Sequence, residues 1–91
     1  MAVTETNCIL HFTAEDDAVT ELYYVTHVKW FGEDIADGDE LQLTDTAGNV
    51  LFDHFSTAAD LGYDGDISFP ARGIIAATMT SDHGTVTIYH K

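Results

Sequence analysis

The sequence predicts an all-β fold, a small antiparallel β-sandwich or barrel of about seven strands with little or no helix. Three observations support this prediction. Apolar and polar residues alternate with a period of two, β-branched and aromatic residues are abundant in the same segments, and short Gly-, Asp- and Asn-containing turns separate them. With 91 residues the chain is long enough for one domain. We expect that domain to span residues 1–91, with residues 1–6 as a flexible N-terminal arm.

Seven segments carry the strand pattern, and the residues between them have turn chemistry. In chain order these segments are NCILHFT (7–13), ELYYVTHVKWF (21–31), ELQLT (40–44), NVLFDHF (49–55), DISF (66–69), GIIAATMT (73–80) and TVTIYHK (85–91). The connections TDTAGNV and SDHGT are typical of short hairpin loops. The one helical candidate is TAEDDAVTEL, with Thr13 as its cap, and this segment is equally compatible with a loop.

The longest predicted strand is apolar on both of its faces. Tyr23, Val25 and Phe31 share one parity, whereas Val28 and Trp30 share the other. Either a β-bulge switches the faces midway, or a partner subunit covers the second face. For so small a domain we favour a partner, and we expect the last strand to form an exposed edge. The expected interface residues are Tyr23, Val25, Trp30, Phe31, Arg72 and Tyr89.

The charge of the chain restricts its partners. Sixteen Asp and Glu residues against three Lys and Arg residues give a formal net charge of −13. Such a surface repels phosphate backbones and anionic lipids, so we expect neither a nucleic acid nor a membrane as a partner. The single cysteine, Cys8, excludes an internal disulfide and is expected to be a small buried residue. The first residues lack the pattern of a signal peptide, so synthesis in a cytoplasm is expected.

The stretch LGYDGDISFP is the best candidate for metal chemistry. Asp60, Asp64 and Asp66 offer carboxylate oxygens that suit a hard cation, but their spacing lacks the EF-hand pattern. A solvated turn is the favoured interpretation. The sequence also lacks a close histidine pair, a nucleophile elbow, a P-loop and a Rossmann glycine pattern. We therefore expect no catalytic residues, no resident metal and no cofactor.

The segments GDELQLTDTAGNVLFDH and GDISFPARGIIAATMTSDHGTVTIYHK carry a resemblance to a known class of proteins. The chain resembles small β proteins of tailed bacteriophages over about residues 37–91, through a Gly-Asp strand, a Gly-Asn hairpin, a Pro-x-x-Gly step and a final G-x-V-x-I-Y strand. Some of these proteins are head decoration, or cement, proteins that stabilise contacts between capsid subunits. The resemblance implies a structural role on the capsid surface of a virion, as a homo-oligomer, often a trimer, that binds the major capsid protein or another virion protein.

Two other classes of function remain open at this point. One is a small adhesion or carbohydrate-binding module, assisted by calcium at Asp64 and Asp66. The other is an acidic inhibitor that mimics DNA and blocks a basic host protein. The clustering of aspartates in predicted turns suits a DNA mimic less well than a regular array of charges would.

Overall fold

The computed structural model describes residues 3–6 and 8–91 and confirms the all-β prediction. The strands are β1 (Thr4–Thr6), β2 (Ile9–Phe12), β3 (Ala18–Phe31), β4 (Glu40–Thr44), β5 (Val50–Phe55), β6 (Tyr63–Met79) and β7 (Thr85–His90). Within the described residues the only helical element is a 3₁₀ turn, Thr80–Asp82. Residues 4–6, expected to belong to a flexible arm, pair with β2, whereas Met1 and Ala2 lie outside the described residues.

All seven strands belong to one antiparallel sheet with the order β1-β2-β7-β3-β6-β4-β5. The strands β1 and β5 form its edges. The last strand, β7, lies between β2 and β3, so the expectation that it forms an exposed edge is wrong. The side of β7 that does not pair with β3 pairs with β2, which is formed by the first predicted strand segment.

The sheet curls around a single core. The rings of Trp30 on β3 and His54 on β5 have centroids 6.3 Å apart, although β6 and β4 lie between these strands in the sheet. In a flat sheet strands this far apart would be separated by about 14 Å. The two ends of the sheet therefore enclose the same apolar interior. The side chains that fill it include Leu10, Phe12, Val28, Trp30, Ile35, Leu41, Leu43, Ile74, Met79, Val86 and Ile88.

A β-bulge explains why β3 is apolar on both parities. Against β7, β3 has one extra residue, Thr26, between paired positions 25 and 27. Tyr23 and Val25 face the core before this bulge, and Val28 and Trp30 face it afterwards. The side chains of Tyr23, Val25 and Trp30 are 8%, 0% and 1% exposed, so they pack inside this chain. The bulge, and not the partner that we favoured, accounts for their burial.

The segments DISF and GIIAATMT, predicted as separate strands, form the single strand β6. The first part of β6 pairs with β3, and its last part pairs with β4. Gly73 lies near the irregularity in the β3 pairing, with a φ of +80° that favours glycine. An added Cβ there would collide with Thr46 Cγ2, so the close approach also requires glycine. This irregularity lets one strand serve both halves of the curled sheet.

The helical candidate TAEDDAVTEL contains no helix, because residues 13–17 form a loop and residues 18–22 begin β3. The Asp17 carboxylate is fully buried, and its Oδ2 accepts hydrogen bonds from the backbone N–H groups of Thr13 and Ala14, at 2.9 and 3.1 Å. The loop also bonds β6, because the backbone N–H of Ala76 donates to the carbonyl of Asp17. These side-chain and backbone bonds replace those of a helix.

Candidate functional site

The strongest candidate site lies on the outer face of the sheet, where β3 runs between β6 and β7. Val28 and Trp30 face the core, so His27 and Lys29 point to the opposite face. The strand register places Asp66 beside His27 and Asp64 beside Lys29. On the other side, Tyr89 of β7 pairs with His27. The bulge and the register thus bring distant polar residues together on one exposed surface.

His27 is held between two carboxylates of β6. Its Nδ1 lies 2.7 Å from Asp66 Oδ1, and its Nε2 lies 2.5 Å from Asp64 Oδ1. The prediction of a solvated turn at these aspartates is wrong, because residues 63–79 form a strand. Residues two apart in a strand point to the same face, which places both carboxylates against the same imidazole.

The two hydrogen bonds favour the charged form of His27. A neutral imidazole has only one N–H group, so it donates to one carboxylate and presents a lone pair to the other. The imidazolium donates to both. The hydrogen bond to Asp66 is the largest influence that raises the His27 pKa, and Asp64 adds to it, whereas desolvation acts in the opposite direction. The site therefore retains its positive charge above the usual pKa of histidine.

A groove of about 560 Å³ opens at this site, lined by Thr26, His27, Lys29, Asp64, Asp66 and Tyr89. A smaller groove of about 150 Å³ adjoins it and shares Lys29 and Asp64. The smaller groove adds the exposed apolar side chains of Phe31 and Leu61. The Lys29 Nζ lies 5.2 Å from the centroid of the Phe31 ring. Polar and apolar surfaces therefore lie next to each other on this face of the sheet.

The arrangement does not favour a metal ion. Asp64 and Asp66 bind opposite nitrogens of the His27 ring, so one cation cannot contact that ring and both carboxylates at bonding distance. Asp60 does not belong to this arrangement. It precedes β6, with a φ of +62°, and its backbone N–H donates to the Ile35 carbonyl. In the described part of the chain, no group of three or more His, Cys, Asp or Glu residues is arranged to hold a metal.

The other expected interface residues have different environments. Phe31 is 46% exposed beside the groove, and Tyr89 is half-buried at its rim, with its ring edge-on to His27. Arg72 is exposed on β6 opposite Leu22, and among residues 3–6 and 8–91 its guanidinium forms no ion pair.

Cys8 is exposed in the turn between β1 and β2, so the expectation that it is a small buried residue is wrong.

Sequence reasoning missed the role of His27. The available signal was the Asp-x-Asp spacing, which in a strand puts both carboxylates on one face. We interpreted the intervening Gly65 as evidence for a turn. Gly65 lies within β6 opposite Val28, and an added Cβ would be only 2.7 Å from the Tyr63 hydroxyl oxygen and 3.0 Å from the ring carbon that bears it. The glycine therefore makes room for an aromatic side chain within the strand.

The edge strand β5 is a second exposed feature. It pairs on one side with β4. Val50 and Phe55, at its two ends, are 57% and 55% exposed. Near its middle, Asp53 hydrogen-bonds Glu40 of β4, which raises the pKa of Glu40 from its ordinary value. The edge therefore combines unpaired backbone groups with apolar ends and an acidic centre.

Comparison with protein-family models, curated proteins and solved structures found no match to this chain. In the described residues, no helix has the length and apolar character needed to cross a membrane.

Proposed function

We propose that this protein is a structural assembly subunit that acts by binding, and that it decorates the exterior of a bacteriophage head. The observation that carries the proposal is the exposed edge strand β5, with apolar side chains at both ends. In this role the protein binds the major capsid protein or another virion protein and stabilises contacts between capsomers. The resemblance of residues 37–91 to small virion proteins supplies the context.

The β5 edge suits attachment to another protein. An edge strand presents N–H and C=O groups that can pair with a strand from a partner, and side chains at alternate positions provide specificity. Val50 and Phe55 add apolar area at the two ends of this strand. The core is filled by the chain itself, so the edge is available without partial unfolding.

The net charge of −13 indicates the kind of partner surface. A basic patch on the shell would attract the chain and fix its orientation, whereas packaged nucleic acid would repel it. Screening by salt weakens such an attraction, so attachment should be weaker at high ionic strength. We further propose a trimer, for which the resemblance is the support. Light scattering of the purified chain tests the trimer separately from attachment.

Co-sedimentation tests the proposed attachment. Heads from a phage whose copy of this gene is deleted are mixed with the purified chain and sedimented. We expect the wild-type chain to sediment with the heads and the variant Phe55→Lys to remain in the supernatant. Leu22→Lys is the matched control, because Leu22 is also exposed, at 65%, but lies on β3 away from the edge.

Two results would contradict the proposal. The first is failure of the wild-type chain to bind heads at low salt, together with its absence from purified particles. The second is tight binding of a monomer to a DNA-binding host protein with DNA as a competitor, which would assign the chain to the DNA-mimic class instead. If Phe55→Lys and Leu22→Lys weaken binding to heads equally, attachment to the shell would stand, but the β5 edge would be excluded as the contact surface.

A further inference from the structure

The groove at His27 contains hydrogen-bond donors and acceptors side by side. The Lys29 ammonium group and the Tyr89 hydroxyl are donors among the residues that line it, whereas the Thr26 hydroxyl already donates to the Tyr89 carbonyl. Asp64 and Asp66 each contact His27 through Oδ1, so their Oδ2 atoms remain as acceptors. The side chains of Asp64 and Asp66 are 62% and 95% exposed. A ligand with several hydroxyl groups could therefore bond to both kinds of group at once.

The groove has a balanced charge in a strongly acidic chain. The imidazolium of His27 and the ammonium of Lys29 offset the carboxylates of Asp64 and Asp66, while the whole chain carries −13. A cationic ligand would meet His27 and Lys29 at close range, and an anionic ligand would be repelled by both carboxylates and by the surrounding surface. The charge pattern therefore favours a neutral polar ligand.

The adjoining apolar surface gives the ligand a second property. Phe31 and Leu61 are 46% and 49% exposed and line the smaller groove, which shares Lys29 and Asp64 with the larger one. A ligand that spans both grooves needs a polar rim and an apolar face. Sugar rings have this combination, with hydroxyl groups around the rim and C–H groups on the faces, which pack against aromatic side chains.

We infer that the groove of about 560 Å³ at His27 is a binding site for a neutral saccharide. Asp64 and Asp66 accept hydrogen bonds from sugar hydroxyls, and Lys29 donates to a sugar oxygen. The face of a sugar ring packs against Phe31. His27 does not need to touch the sugar, because it holds both carboxylates in place before the ligand arrives. This activity is separate from attachment through β5, which lies at an edge of the sheet.

Titration by ¹H–¹⁵N NMR tests this site with maltotriose, cellotriose, chitotriose and galactobiose as probes. The groove is open and offers few contacts, so we expect a dissociation constant of about 0.1–5 mM for at least one probe. The signals that shift should belong to residues 26–31, 61–66 and 89. The double variant Asp64→Asn, Asp66→Asn should weaken binding about 10-fold or more. The control Asp37→Asn, which removes one carboxylate from the exposed loop before β4, should leave binding unchanged.

Further measurements separate the possible outcomes. The spectrum of the double variant shows whether it is folded, and Phe31→Ser provides a second test at a side chain that is not acidic. Phe55→Lys should bind the saccharide normally, so failure of the shell proposal leaves this one intact. The inference is overturned if no probe shifts the groove signals at about 20 mM, well above the expected constant. It is also overturned if the double variant binds as well as wild type, or if a tetra-arginine peptide occupies the groove more tightly than every saccharide.

Discussion

Replacing Gly84 by alanine would test how closely the start of β7 must approach Trp30. Gly84 has a φ of +80°, and an added Cβ would lie 2.6 Å from Trp30 Nε1 and 2.9 Å from Ile35 Cδ1. Gly48 provides a matched control, since it has a φ of +89° but no atom within 4 Å of an added Cβ. Gly48→Ala therefore measures the conformational cost alone, whereas Gly84→Ala adds the cost of the collision.

The two costs can be estimated separately. A left-handed conformation costs alanine about 1–2 kcal/mol, and the reduced entropy of the unfolded chain returns about 0.4–1 kcal/mol. We therefore expect Gly48→Ala to lower the free energy of unfolding by about 1 kcal/mol. Gly84→Ala adds about 1–3 kcal/mol of overpacking. It also strains the 3.1 Å hydrogen bond from Trp30 Nε1 to the His83 carbonyl, worth about 1 kcal/mol, so its total loss should be about 3–5 kcal/mol.

Urea unfolding followed by fluorescence measures both variants. Trp30 is the only tryptophan in the chain and contacts the altered site, so its emission reports on the folded state directly. In thermal unfolding the same losses correspond to decreases in Tm of about 5 °C for Gly48→Ala and about 20 °C for Gly84→Ala. Equal losses in the two variants would refute the reasoning, because they would show that the positive φ, and not the contact with Trp30, sets the cost.

Three further predictions concern carboxylates. Asp17→Ala should lower the free energy of unfolding by about 2 kcal/mol, because it removes two hydrogen bonds from backbone N–H groups. Asp17→Asn keeps an acceptor oxygen and should cost less than half as much. Equal costs of the two variants in urea unfolding would contradict this prediction. The His27 pKa should fall in Asp66→Asn but not in the control Asp53→Asn when the imidazole signals are titrated by NMR. Because the pKa of His27 is raised in the folded chain, its ion pair should stabilise the fold fully below about pH 6.5. That contribution should be lost as the pH rises through the raised value. Asp53→Asn should raise the Tm at neutral pH, because it removes the repulsion between the carboxylates of residues 53 and 40. This gain in Tm should disappear below about pH 4, where Glu40 is protonated. A gain that persists in acid would show that charge repulsion is not its cause.

Local patterns were sufficient to predict the fold class and most of the strands. The strand at residues 40–44 was predicted with its observed bounds. The turn that follows it depends on adjacent residues, since Asp45 Oδ1 accepts hydrogen bonds from the backbone N–H groups of Ala47 and Asn49. Interactions of this kind span only a few residues and are therefore visible in the sequence.

The faces of the long strands could not be predicted in the same way. Alternation identifies two sets of residues but does not show where a bulge exchanges them. The extra residue at Thr26 is defined by its pairing with β7, about sixty residues later in the chain. Asp64 and Asp66 have the composition of a turn, and their place in β6 follows from pairing with β3. Tertiary pairing overrode local preference at the candidate site itself.

The scarcity of lysine and arginine links the stability of this chain to its proposed binding. Among the described residues, every recorded ion pair uses a histidine, and His27, His83 and His90 each join segments far apart in the sequence. The His27 pKa is raised, and above that raised value the imidazole is neutral, so its link to Asp64 and Asp66 is weakest in alkaline solution, where net negative charge is greatest. Salt or a basic protein surface would then offset the repulsion between carboxylates. The free chain should consequently be least stable at high pH and low salt, and a basic partner should stabilise it most under those same conditions.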